Sequence, residues 1–80
     1  MYADKVRDIL TQHGRLSNPV DQLQDTSDLY NAGLTSLATV GLMLALEDQF
    51  NIEFPDNMLS RKTFASIESI IDAVQKLVDK

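Results

Sequence analysis

The sequence predicts an all-α protein, and three observations carry that expectation. Apolar residues near both ends recur at one-face helical spacing, and near the C-terminus at i, i+3, i+4 and i+7. The segment "YNAGLTSLATVGLMLALEDQF" between them reads as a further helix that is apolar almost throughout. Residues that start or stop helices border these stretches: Gly14, Ser36, Pro55 and Ser66. β-branched residues cluster near the C-terminus, but their period is helical rather than alternating.

The first helix is expected over about residues 2–13, with Val6, Ile9 and Leu10 on one face and Gly14 as its stop. A connection of about 20 residues follows. Its apolar residues, among them Leu16, Val20, Leu23, Leu29 and Leu34, show no clear period and are expected to pin it onto the helices. Connections of that length in a compact domain are often functional. The second helix is expected from Ser36 to Phe50 or Asn51, because Pro55 cannot continue it. "FPDNMLSRKTFAS" fits a short helical turn begun by Asp56, then a loop. The last helix begins after Ser66, a candidate N-cap. Ile67, Ile70, Ile71, Val74, Leu77 and Val78 mark its apolar face, while Lys76 and Lys80 suit the negative end of its dipole.

Eighty residues make one small domain, 1–80, with a modest core. The absence of cysteine excludes disulfides, thiolate metal sites and a nucleophilic thiol of its own. The charged N-terminus "MYADKVRDIL" is not a signal core. No apolar run approaches the roughly 18 residues that span a membrane. A soluble, cytoplasmic monomer is expected. A net charge of −5 argues against nucleic acid and against stable association with anionic membranes. It favours partners with basic patches, or serves only solubility.

Stepping 100° per residue divides the second helix. Thr39, Leu42, Met43, Leu46 and Phe50 fall on a broad core face. Leu37, Val40, Gly41 and Leu44 fall on the opposite side, followed by Glu47 and Asp48. A surface helix normally carries charge there. Either the connection or another helix covers this side, or it is a docking surface for other proteins. Gly41 costs about 1 kcal/mol relative to Ala in a helix interior and would allow close approach of a partner.

Ser36 stands at the entrance of this helix. Thr35 and Ser36 could each serve as its cap. A nucleophilic serine needs an oriented base, and the only histidine, His13, lies at the far end of the first helix. "GLTSL" also lacks the second glycine of G-x-S-x-G. No acid–base pair or metal cluster is apparent, so an enzyme is not expected. As an attachment point Ser36 is well placed, since a phosphate ester there would meet free backbone N–H groups.

At these residues the chain resembles the carrier-protein family, whose members bear acyl, peptidyl or aminoacyl groups as thioesters. The family pattern D-x-L-[FY]-x-x-G-[LM]-D-S-L is matched by Leu29, Tyr30, Gly33, Leu34, Ser36 and Leu37, with Thr35 in place of the second Asp and Asp28 one position after the place of the first. "LALEDQFNIEFPD" and "TFASIESIIDAV" extend the resemblance over nearly the whole chain. It implies a four-helix bundle of the acyl-carrier type, with a short third helix and a long loop between the first two. It implies that Ser36 bears 4′-phosphopantetheine, donated from coenzyme A by a phosphopantetheinyl transferase. The reactive sulfur would thus be imported. It also implies partner recognition through Thr35, Leu37, Val40, Gly41 and Leu44, with Glu47 and Asp48 as acidic contacts.

Three departures bear on the cargo. Thr35 keeps a capping oxygen but removes a negative charge, and Ala38 and Gly41 stand where housekeeping fatty-acid carriers commonly place acids. Arg61, Lys62 and Phe64 resemble the basic pair and aromatic residue of D-alanyl and other aminoacyl carriers. The expectation is an acyl carrier of a specialised lipid or secondary-metabolite pathway, served by its own ligase and downstream thioester-using enzymes. The alternatives are an aminoacyl carrier loaded by a dedicated ligase, and a helical interaction module without a cofactor.

Overall fold

The computed structural model describes residues 2–14, 16 and 19–79. Among them the chain is all-helical, with no strand. Three α-helices, α1 (Tyr2–His13), α2 (Ser36–Phe50) and α3 (Ile67–Val78), alternate with two three-residue 3₁₀ turns, Val20–Gln22 and Asp56–Met58. The helices start and stop where periodicity and caps place them. Lys80, expected to complement the end of α3, lies outside the described residues.

The core is one cluster drawn from every helix and both connections. Val6, Ile9 and Leu10 of α1 meet Leu42 and Leu46 of α2 and Ile67, Ile70 and Val74 of α3. α1 packs against both other helices, more extensively than α2 and α3 pack on each other. On α3, Ile71 is half-buried and Val78 is exposed, so the buried stripe is narrower than the expected face. Ala73 completes it instead.

Gly14 ends α1 by donating its N–H to the Leu10 carbonyl at 2.8 Å. A Cβ at Gly14 would stand 2.8 Å from that same oxygen, so the close approach requires glycine. The connection from α1 to α2 buries Val20, Leu29 and Leu34. A tight turn brings the last two together: the Leu34 N–H donates to the Leu29 carbonyl at 2.9 Å, and Gly33 takes a φ of 114° that side chains disfavour.

Long-range bonds fix this connection to the rest. Arg7 of α1 donates to the Asp25 carboxylate at 2.7 Å and to the Val20 carbonyl at 2.9 Å. The Asp25 carbonyl accepts from the Glu68 N–H in the first turn of α3, and the Leu29 N–H donates to the Ala65 carbonyl. Where a short third helix was expected, the chain makes the Asp56–Met58 turn and then further turns through residues 61–64. These turns seat Phe64 in the core against Phe54, with ring centroids 5.5 Å apart. Ser66 caps α3, its Oγ accepting from the Ser69 N–H.

Candidate attachment site

Thr35, not Ser36, is the cap of α2. Its backbone is extended, and its Oγ1 accepts from the Ala38 N–H at 3.1 Å. The Thr35 carbonyl also accepts from the backbone N–H and the hydroxyl of Thr39, at 2.9 and 2.7 Å. The cap bond is therefore made without Ser36. Ser36 is the first helical residue and is exposed, so its hydroxyl is left outside the cap and open to a modifying enzyme.

Beside Ser36 lies an open cleft of about 380 Å³, bounded by Tyr30, Val40, Met43, Arg61 and Phe64 among others. Arg61 is the one charged residue among the described residues that line it. Its guanidinium sits over the Tyr30 ring, 4.1 Å from the centroid, and the Tyr30 hydroxyl donates to the Arg61 carbonyl at 2.8 Å. Burial pushes the Tyr30 phenol above its ordinary 10.0, opposed by Arg61 and assisted by Asp28. An unconsumed hydroxyl, an open cleft and a single cation suit a bulky group bearing a phosphate.

The second side of α2 is uncovered. Leu37 is 84% exposed, Val40 51% and Leu44 56%, whereas Leu42 and Leu46 are fully buried. Among the described residues neither the connection nor another helix lies over these side chains, so the apolar stripe is exposed. Leu59, 45% exposed, continues it from the loop across the cleft. Gly41 is open, with nothing within 4 Å of where its Cβ would be. Asp48 is exposed, but Glu47 is half-buried and accepts from the Phe54 N–H at 2.9 Å. That carboxylate thus has a structural duty that the sequence did not reveal.

His13 does not line the Ser36 cleft. It borders a separate one with Gly41, Leu44 and Asp48. Among the described residues no cluster of three or more His, Cys, Asp or Glu side chains could hold a metal ion. No helix among them is long and apolar enough to cross a membrane. The stacking of Arg61 on Tyr30 was not foreseen. Both residues stand out in the sequence, but no local signal joins positions 31 residues apart.

Comparison with known proteins agrees with this geometry. Residues 4–74 match the family model for the phosphopantetheine attachment site. An aminoacyl carrier protein of Agrobacterium fabrum is 54% identical over 74 residues, covering 92% of this chain and 89% of that protein. Two crystal structures share the fold; both hold an engineered Bradyrhizobium japonicum glycine:[carrier protein] ligase complexed with a carrier protein from Agrobacterium tumefaciens. The match in the ATP complex has a TM-score of 0.93 at 51% identity, covering 96% of this chain and all of that one. In the AMP complex the values are 0.89 and 53%, over 91% and 97%. The chain belongs to the phosphopantetheine-binding carrier family, a non-catalytic protein that tethers its cargo through covalently bound 4′-phosphopantetheine.

Proposed function

We propose that Ser36 is the attachment point and that the cargo is an aminoacyl group loaded by a dedicated ligase. The observation that carries the first part is the division of labour at the helix entry: Thr35 caps, which leaves Ser36 exposed and uncommitted. When attached, the group supplies the thiol that this cysteine-free chain lacks. The relatives support the second part. Of the two cargo classes that the sequence left open, the similar protein of Agrobacterium fabrum is an aminoacyl carrier. The structurally similar carriers were captured on a glycine ligase.

A phosphopantetheinyl transferase installs the group, and the ligase and downstream thioester-using enzymes dock on the uncovered side of α2. Leu37, Val40 and Leu44 give the apolar contacts, Gly41 gives close approach, and Thr35 and Asp48 border them. Glu47 contributes there only with what its bond to Phe54 leaves free. Residues 1–80 act as one cytoplasmic carrier domain and as a monomer. The turns at 56–64 stand in for the short third helix of the carrier bundle, and the connection before α2 is its long loop.

The test uses the apo protein, coenzyme A and a promiscuous phosphopantetheinyl transferase, followed by intact mass. One prosthetic group is expected, and none on Ser36→Ala. The holo form, with ATP, glycine and a glycine:[carrier protein] ligase, is then expected to gain an aminoacyl group that hydroxylamine removes. Addition that survives Ser36→Ala overturns the site. Loading by a malonyl transferase as fast as a fatty-acid carrier, with none by the ligase, overturns the cargo.

A further inference from the structure

The basic pair at residues 61–62 has a role that attachment alone does not supply. We propose that Arg61 is a positioning residue for the prosthetic group: its guanidinium holds the phosphodiester anchored on Ser36 and keeps the arm against the cleft. The inference rests on the attachment at Ser36 and goes beyond it.

Three observations converge on Arg61. It shares the cleft with Ser36, and it is the one charged side chain among the described residues lining that cleft. Ser36 and Arg61 border the same open cleft of about 380 Å³, and physiological salt screens exposed charges only over roughly 8 Å. A monoanionic phosphodiester on Ser36 would share that cleft with the guanidinium and no other charged side chain among the described residues.

The side chain is also held in advance. The Tyr30 ring supports the guanidinium face at 4.1 Å, and the Tyr30 hydroxyl anchors the Arg61 carbonyl at 2.8 Å. Stacking on a ring occupies the guanidinium face and leaves its N–H edge available, the edge that pairs with phosphate oxygens. Less side-chain freedom is then lost when a bond forms. Finally, Arg61 enters no ion pair among the described residues, whereas Arg7 pairs with Asp25 and Lys76 with Asp72. In a chain of net charge −5 an unpaired, stacked arginine beside the attachment point is the natural counter-ion for the incoming phosphate.

Lys62 does not line that cleft. It borders one with Asp28, which Arg61 also lines, and one with Asp72. Of the pair, Arg61 alone also borders the cleft beside Ser36. An ammonium could neutralise the phosphate as a point charge but could not stack on Tyr30 and fork to two oxygens at once.

The experiment compares wild type, Arg61→Gln and Arg61→Lys, each converted fully from apo to holo and checked by intact mass. In the wild type the Arg61 Nε–H resonance is expected to move on modification, with a companion shift at the Tyr30 amide. The phosphodiester ³¹P resonance of holo Arg61→Gln is expected to lie closer than that of wild type to its position in the urea-unfolded holo protein. Arg61→Lys is expected to restore it in part. The apo spectra report whether each variant is folded, and the wild-type comparison needs no variant. If all three proteins are modified but the Arg61 resonance is unmoved and the ³¹P shift is the same in wild type and Arg61→Gln, the positioning role is overturned while the carrier assignment stands. If no protein is modified at Ser36, both fail together.

Discussion

Thr35 shows how much one side chain decides at this site. Its Oγ1 is the capping acceptor for α2, so Thr35→Ala should lower unfolding stability by about 1 kcal/mol, within the usual cap range of about 0.5–2. Thr35→Asp keeps the acceptor and adds negative charge at the positive end of the helix, which is worth roughly 0.3–1 kcal/mol. Urea denaturation of the three proteins should therefore rank them Asp above Thr above Ala. Tyr30 gives a second reading, in pH. The fold favours the neutral phenol, so its pKa is raised above 10.0, chiefly by burial. An acid with a raised folded pKa contributes stability that is whole below its unfolded value and is lost as pH rises through its folded one. Deprotonation also removes the donor to the Arg61 carbonyl. Thermal melts on the alkaline side of pH 10.0 should show wild type losing stability more steeply than Tyr30→Phe, and parallel curves would contradict the assignment. At this scale the sequence was ambiguous where geometry was needed. Thr35 and Ser36 are both competent caps, and only the extended backbone at Thr35 chooses between them.

Helix α2 has a buried side and an exposed apolar side that we propose for docking, and substitution should separate the two. Leu42 is fully buried, so Leu42→Ala should cost about 2–5 kcal/mol through lost burial and the cavity left behind. Leu37→Ala and Leu44→Ala touch surface and should stay within about 0.5 kcal/mol of wild type. Ligase docking, followed by calorimetric titration, should reverse that order for the exposed pair, weakening most where stability changes least. Gly41 sharpens the contrast. A Cβ there meets nothing within 4 Å, so Gly41→Ala should stabilise the helix by about 1 kcal/mol. The same methyl should weaken docking, because the space it fills is what the partner enters. The helix ends and faces were legible because they are local: a 3.6-residue period, a cap, a proline. The α1–α2 connection was not, because what orders it is remote. Arg7 reaches Asp25 across 18 positions, and the Leu29 N–H finds the Ala65 carbonyl from the far side of α2. Glu47 looked like a free surface acid for the same reason, since its bond to Phe54 exists only once Asn51 has turned left-handed, with a φ of 53°, and folded the chain back. Glu47→Ala should accordingly lower stability by about 1–3 kcal/mol, leaving the N–H of buried Phe54 unpaired.

The molecule as a whole is acidic, yet the proposed docking side is apolar over its first turns. Acids are absent at Thr35, Ala38 and Gly41, and Glu47 is engaged internally, so Asp48 is the remaining free carboxylate along that stripe. Ten of the twelve acidic residues and all seven basic ones lie outside that stripe. Distributed charge steers approach, whereas the contacts made after approach set the lifetime of the complex. Raising salt from about 0.1 M to about 1 M shortens the screening length from about 10 Å to about 3 Å. That removes steering while leaving apolar contacts intact. Association of the holo protein with a basic-surfaced ligase should therefore slow several-fold over this range, and dissociation should change by less than about twofold. Stopped-flow association and chase-dissociation measure the two separately. A dissociation rate that climbs with salt as steeply as association falls would mean that ion pairs hold the complex together. Asp48 and the exposed part of Glu47 would then carry docking, and the bare stripe of Leu37, Val40 and Leu44 would be incidental.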